Sequence, residues 1–439
     1  MLELVKKQRI YSNQYIQTCN LFTTIMKYHK ETECRICSSQ DLELILDLGN
    51  QPLANAFIKK EDLQKSENRF PLRLYLCKNC HLLQLLDIVD KEYLFKEYLY
   101  LTSASKPIVS HFETYASEIY DEFLKVSADP LIIEIGSNDG SLLKEFQKFG
   151  TNVLGIEPAK NIAKIANDIG IPTKNVFLNY DAAKKISLEQ KASVIIANNV
   201  LGHIENLKEF IKCIKVLLDD NGIFVFEVPH LLDLMQKLEF DTVYHEHLSY
   251  LSLKPLISLT NEFDLEIFDV KKQKVHGGTI RVFVSKKGQF KKTSNLEKLI
   301  SIEKKSGIYD IKTYKMFARN VKQLKNLLQN ELKKCKTEGK TIFGYGAPAK
   351  GNVLLNYCNI RKELLDYVLD TTPLKQGLYT PGTHIPVRLY ETLPKNASQH
   401  VALLLAWNYE KDIIHKENEF RENGGRFLVP IPTPNIIGV

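Results

Sequence analysis

The chain has 439 residues, of which 44% are hydrophobic and 25% charged, an ordinary globular composition with material for several domains. No apolar run reaches the roughly 18 residues that a bilayer requires, so no membrane partner is expected. The formal charge is +7, but the lysines are scattered ("KKQK", "KKGQFKK", "LKKCK") rather than gathered in one stripe, which reads as solvated surface and predicts no nucleic-acid partner.

Residues 1–30 read as a tail. "YIQTCNLFTTIMKY" is broken by polar residues and lacks a small-residue cleavage site, so no secretory signal is expected. Met26 stands just before the first recognisable motif, and residues 1–25 are read as an appended tail or a start-site artefact. Eight cysteines are too few for a disulfide scaffold in so long a chain, and a reducing cytoplasm fits them.

Residues 31–105 carry two knuckles, "CRIC" (Cys34, Cys37) and "CKNC" (Cys77, Cys80), with 39 residues between them. A C-x-x-C turn points both sulfurs the same way, so two of them converge on one tetrahedral ion. The intervening "LELILDLG" and "FPLRLYLC" read as strands. Four thiolates close the shell and leave no position for water or substrate, so a structural Zn2+ is expected. A redox C-x-x-C needs one motif at a strand-to-helix junction, and fits less well. Cys19, Cys213, Cys335 and Cys358 have no partner at metal spacing.

Residues 106–290 read as a cofactor domain. "PLIIEIGSNDGSLLKEFQKFG" is strand, glycine loop and helix, with Gly136 and Gly140 bracketing the loop. The next strand, "NVLGIEP", ends at Glu157, 21 residues after Gly136, where an acid can accept from both ribose hydroxyls. "ASVIIANNV" and "GIFVFEVP" continue the alternation and predict a doubly wound parallel sheet of α/β class. The loop "EIGSNDGS" lacks a middle glycine and carries Glu134, Asn138 and Asp139. Two carboxylates suit a cationic cofactor better than a pyrophosphate. S-adenosylmethionine, with its sulfonium and ammonium, is therefore expected ahead of a nicotinamide nucleotide. Asn198, at the end of the fourth strand, is a further cofactor candidate or else a loop cap.

"DTVYHEHLSYLS" packs two histidines, two acids and two tyrosines between Asp241 and Tyr250. If this stretch is extended, His245 points away from Tyr244 and Glu246 and is structural. If it is helical, successive residues diverge by about 100 degrees and the grouping changes. Residues 291–335 form a helical linker. Residues 336–439 repeat the strand, glycine loop and helix in "EGKTIFGYGAPAKGNVLLNY", and read as a second Rossmann-like domain. "AKGN" is no Walker sequence, because Lys350 precedes the last glycine and neither Ser nor Thr follows it. Asp370 ends the following strand, where a nicotinamide fold would hold ribose.

The ordered set C-x-x-C…C-x-x-C, "EIGSNDGSLL", "NNVLGHIENL", "YHEHLSYLS", "VHGGTIRVFV", "FGYGAPAKGNVLLNY" and "TPGTHIPV" resembles the sugar-nucleotide C-methyltransferases, from about Cys34 to the C-terminus. The resemblance implies a nucleotide-linked 4-keto-6-deoxysugar as substrate, methylated probably at C3 through an enolate. It also implies His247 as base, with Tyr244 and Glu246 in the same site. The phenol is suited to an oxyanion and the carboxylate to orienting the imidazole. His203 in "VLGHI" and Tyr100 in "EYLYLTSAS" match the same pattern, with Tyr98 a rival to Tyr100. The sugar nucleotide would lie between the cofactor domain and the C-terminal domain, with Lys350, Asn352 and Lys375 as diphosphate contacts. "HGGTIRV", from His276, would form a turn and edge strand closing that cleft. The alternatives are an RNA or other small-molecule methyltransferase, a nucleotide-sugar oxidoreductase and a non-catalytic zinc-bearing scaffold.

Overall fold

The computed structural model describes residues 28–90, 94, 102–104, 106–273, 277–391 and 393–438. Tyr98, Tyr100, His276, Cys19 and the tail 1–25 lie outside the described residues.

The N-terminal module is built on a four-stranded antiparallel sheet. Leu42–Pro52 pairs with Arg69–Cys77, which pairs with Leu83–Leu85. Leu72, Leu74 and Leu76 are fully or nearly fully buried, so the alternation of "LRLYL" puts one face of this sheet into the core. Its fourth strand, Ser249–Tyr250, comes from the far side of the chain and pairs antiparallel with Leu83–Leu85.

The central sheet has seven strands in the spatial order Leu265–Gln273, Thr279–Lys286, Leu218–Pro229, Ala192–Ile196, Leu131–Ile135, Asn152–Ile156, Thr173–Lys174. The last five are parallel, and Thr279–Lys286 runs antiparallel beside Leu218–Pro229. The strand that follows the two glycines Gly277 and Gly278 is thus interior, flanked on both sides, which corrects its expected place at the edge. The chain order reverses between Leu131–Ile135 and Ala192–Ile196, which is where an open α/β sheet opens a crevice at its carboxyl end. Both faces are covered, one with Ile133, Ile195 and Phe224, the other with Ile132, Val194 and Phe283.

The stretch expected as a linker holds two helices, Ser294–Lys305 and Ile311–Thr337. The longer one buries Tyr314, Phe317, Val321, Leu324, Leu328, Leu332 and Cys335, a spacing of three and four that forms one continuous stripe. That stripe packs into the same core as Leu72 and Leu74 of the N-terminal sheet, Ile342 of the C-terminal sheet and Val353 of the helix Ala349–Tyr357. The helix is therefore a shared wall between modules. The C-terminal sheet has six strands, ordered Val387–Leu389, Tyr367–Asp370, Thr341–Tyr345, His400–Leu404, Arg426–Val429, Asn435–Ile437, with only the last antiparallel. Among the described residues no helix is long and apolar enough to cross a membrane.

Candidate active site

The four N-terminal cysteines come together. The sulfurs of Cys34 and Cys80 lie 3.5 Å apart, as do those of Cys37 and Cys77, and all four lie within 4.8 Å of one another. A tetrahedron of sulfurs about 2.3 Å from one ion has edges of roughly 3.8 Å, so the cage fits Zn2+ and leaves no open position.

The glycine loop at the crevice of the central sheet is held by its own carboxylates. Gly136 adopts φ 67°, and a Cβ there would lie 2.7 Å from Val200 Cγ2. Only glycine lets the loop pass under the fourth strand's exit. Glu157 Oε2 accepts from Asn138 N at 3.0 Å and Oε1 from Ala159 N at 2.8 Å. Asp139 accepts from Ser141 Oγ at 2.6 Å and from Ser103 N at 2.9 Å, while Asn138 Oδ1 accepts from Thr102 N at 3.0 Å. Gly140 follows in the left-handed conformation and starts the helix Ser141–Gln147. Asn198 Oδ1 accepts from Glu227 N at 3.1 Å.

Three buried atoms at this mouth have no hydrogen-bond partner among the described residues: Glu134 Oε2, Ser137 Oγ and Asn198 Nδ2. Burial holds Glu134 well above the usual carboxylate range, reinforced by the charges of Asp139 and Glu157, and no cation among the described residues offsets them. A cationic ligand bearing polar groups answers both the charge and the unpartnered atoms, so the mouth fits S-adenosylmethionine.

The fourth strand leads directly to the histidines. After Asn198 the chain turns through Leu201–His203, and Leu248 N donates to Gly202 O at 2.7 Å. The stretch 241–252 is neither a single strand nor a single helix, and only Ser249–Tyr250 is a strand. Phe240–Thr242 is a 3-10 turn, and His247 N donates to Tyr244 O at 2.8 Å, closing a second turn that brings side chains three apart together. Tyr244 Oη and His247 Nε2 are 2.7 Å apart, and His247 Nδ1 bonds Thr242 O at 2.9 Å. A carbonyl only accepts, so Nδ1 carries the proton and Nε2 takes the phenol's hydrogen. The group that orients His247 is thus the Thr242 carbonyl, which corrects the expected role of Glu246. The Glu246 carboxyl turns to the N-terminal module instead, where Asn55 Nδ2 donates to its Oε1 at 2.7 Å. Burial pushes Glu246 up to about 7. The His203 and His247 rings meet edge to face at 4.8 Å, and burial pulls His203 down to about 4. His245 is 1% exposed, bonded to Phe70 O at 3.3 Å and drawn down to about 4 by burial. It belongs to the core.

The expected diphosphate contacts lie elsewhere than foreseen. The Lys350 ammonium sits 4.1 Å over the Trp407 ring, in the field of Asp241 and Glu239. Asp241 is fully buried and its Oδ2 accepts from Trp407 Nε1 at 2.7 Å. The charge of Lys350 is answered from within the protein, which corrects its assignment to a diphosphate. Asn352, 2% exposed, donates through Nδ2 to Ala54 O at 2.7 Å and stitches the C-terminal half to the N-terminal module, a second correction. Lys375 donates to Ala347 O at 2.9 Å and keeps two further donors. Asp370 Oδ2 accepts from Ala347 N of the second glycine loop at 2.6 Å, and Oδ1 accepts from Thr372 N just past its own strand at 2.7 Å. Sequence reasoning misses Asn55 and takes Asp241 only as one acid of the histidine stretch. Asn55 stands in "LANAF", which has no titratable group and no motif spacing.

Residues 34–95 match the profile of a zinc binding domain, 109–270 that of a methyltransferase domain and 274–432 that of a C-methyltransferase C-terminal domain. The chain is 35% identical over 410 residues to the C-methyltransferase NovU of Streptomyces niveus, covering 92% of this chain and 96% of that one. Among solved structures it is similar to the plantazolicin methyltransferase BpumL in complex with SAH, at 16% identity over 40% of this chain and 82% of that one, TM-score 0.32. The PH0226 protein of Pyrococcus horikoshii OT3 is similar at 14% identity over 45% of this chain and all of that one, TM-score 0.35.

Proposed function

The chain belongs to the S-adenosylmethionine-dependent C-methyltransferases with a structural zinc module, and on that premise we propose that it methylates C3 of a nucleotide-linked 4-keto-6-deoxysugar. The observation that carries this reading is the Tyr244–His247 pair, with its tautomer set by Thr242, beside His203 at the exit of the fourth strand. A carbon becomes nucleophilic next to a ketone when a base removes its proton, and an imidazole is the natural base near neutral pH. S-adenosylmethionine, when bound, supplies an electrophilic methyl, and Glu134, Ser137, Glu157 and Asn198 would hold it.

The C–H bond breaks toward the pair. Its proton ends on His247 Nε2, either directly once Tyr244 turns aside or through the phenol. The resulting imidazolium donates to the Thr242 carbonyl on one side and the Tyr244 oxygen on the other. The electron pair moves to the ketone oxygen as an enolate. Glu246, pushed up to about 7, holds a proton to offer that oxygen, as does the Tyr244 phenol, and the neutral His203 would accept from a sugar hydroxyl. Tyr100 and His276 complete the proposed set on the substrate, with Lys375 toward the diphosphate. Catalysis rests mainly on alignment, with the carbon about 3–3.5 Å from the methyl it attacks. A cytoplasmic location suits the seven described cysteines, none of which is in a disulfide.

The test is incubation with S-adenosylmethionine and a panel of 4-keto sugar nucleotides, read by mass, with hydrogen exchange next to the ketone followed in deuterated water. Wild type should methylate at least one ketone and exchange its neighbouring hydrogen, and His247→Asn should lose both by about a hundredfold or more. Undiminished exchange in His247→Asn removes it as the base, and a panel without any methylated product removes the substrate class.

A further inference from the structure

We propose that Asn55 is a positioning residue through which the zinc module sets the Glu246 carboxyl, pinning Oε1 and leaving Oε2 for the substrate; this rests on the function proposed above. The contact spans 191 residues of chain. It is held from both sides. Asn55 follows the end of the strand Leu42–Pro52, and the Ala54 carbonyl beside it accepts from Asn352 of the C-terminal half. The turn carrying Glu246 is fixed to the same module at its other end. Leu85 N donates to Leu248 O at 2.9 Å, and Ser249–Tyr250 is the fourth strand of the zinc module's sheet.

The hydrogen bond also decides where a proton resides. An amide N–H aimed at Oε1 needs a lone pair there, so a protonated Glu246 carries its hydrogen on Oε2. Burial raises Glu246 to about 7 and the Asn55 bond opposes it, so near neutral pH much of the protein holds this carboxyl neutral. A neutral carboxyl donates to an enolate oxygen, whereas an ionised one repels it. Among the described residues, the titratable groups beside it are Tyr244, His245 and His247 in the same turn and His203, whose ring bonds the Glu246 backbone. None of them is a carboxylate.

The experiment uses the full-length zinc-loaded protein with Asn55→Ala, Asn55→Asp and Glu246→Gln. Asn55 is exposed on its outer side, so these changes leave the core intact. The Glu246 carboxyl is titrated by infrared difference spectroscopy, its C=O band identified by loss in Glu246→Gln. Losing the amide should raise the proton affinity of Glu246 about tenfold in Asn55→Ala, and the added charge should raise it further in Asn55→Asp. On an accepted substrate, kcat should fall about tenfold, its alkaline limb should move up with the titration, and KM for S-adenosylmethionine should hold. An unmoved titration and an unmoved limb overturn the proposal, even if activity falls, because a mere structural staple predicts that result. The infrared arm needs no substrate, so it decides the proposal even where the 4-keto sugar assignment fails.

Discussion

The two α/β halves of this chain share one plan and use it differently. Each places its first strand between its second and fourth, follows that strand with a glycine loop, and ends the second strand in an acid that binds the loop's backbone. Glu157 holds Asn138 N and Ala159 N, and Asp370 holds Ala347 N and Thr372 N. The difference lies in what surrounds the loop. At the first mouth three carboxylates gather with no cation among the described residues, and three buried polar atoms have no partner there. At the second, Lys375 binds the loop carbonyl, Lys350 and Trp407 meet Asp241 and Glu239, and Leu405 lies where side chains on Gly344 and Gly351 would go. The same local geometry makes a cofactor crevice in one place and a domain junction in the other.

The sharpest way to break this contrast is a pair of glycine substitutions. Gly136→Ala puts a methyl 2.7 Å from Val200 Cγ2 at φ 67° and should weaken S-adenosylmethionine binding about a hundredfold, or about 2.7 kcal/mol. Gly346→Ala, at φ 81° and 3.0 Å from Ala406 Cβ, should cost about 1–2 kcal/mol of stability and leave cofactor affinity within about twofold. Calorimetry and thermal melts separate the two. Equal loss of cofactor affinity in both variants would erase the distinction.

A smaller contrast comes from the paired acids. Glu157→Gln should weaken the cofactor about tenfold, because one oxygen that accepts a loop N–H becomes an NH2 facing it. Asp370→Asn makes the same exchange at Ala347 N and should lower stability by about 1–2 kcal/mol without touching the cofactor.

These pairs also show what the sequence could reveal. Strand, glycine loop and helix are local patterns, and both copies are legible in "LIIEIGSNDGSLL" and "TIFGYGAPAKGNVLL". The cysteine cage is legible because four like ligands at knuckle spacing have few other uses. Glu157 and Asp370 look alike in sequence because their local settings are alike. What separates them arrives from distant chain, and no spacing records it. Lys350 read as a phosphate contact for the same reason, since its counter-charges Asp241 and Glu239 precede it by more than a hundred residues. In "YHEHLSYLS" the residue types announced chemistry, but the grouping depended on a turn that neither a strand nor a helix pattern foretells. Asn55 was invisible because its meaning is a single hydrogen bond to a residue of another module.

A last contrast lies at the junction itself, and its sign is fixed by linkage. Asp241 is raised from 3.8 to about 6 by burial, with Lys350 and the Trp407 indole opposing. A carboxyl raised on folding binds more protons folded than unfolded, so stability falls as pH climbs through that window and levels off above about 6. Trp407→Phe removes the donor to Asp241 Oδ2 and keeps an aromatic ring under Lys350. The folded carboxyl should then titrate at still higher pH, and the fall in stability should extend further upward. At neutral pH the variant should lose about 1–3 kcal/mol. Cofactor affinity should not change, because the indole serves the junction and not the first mouth. Thermal melts across the acid range measure both terms. A variant whose melts parallel wild type at every pH would show that the indole does not govern Asp241, and the second mouth would then stand open to a ligand as the first one does.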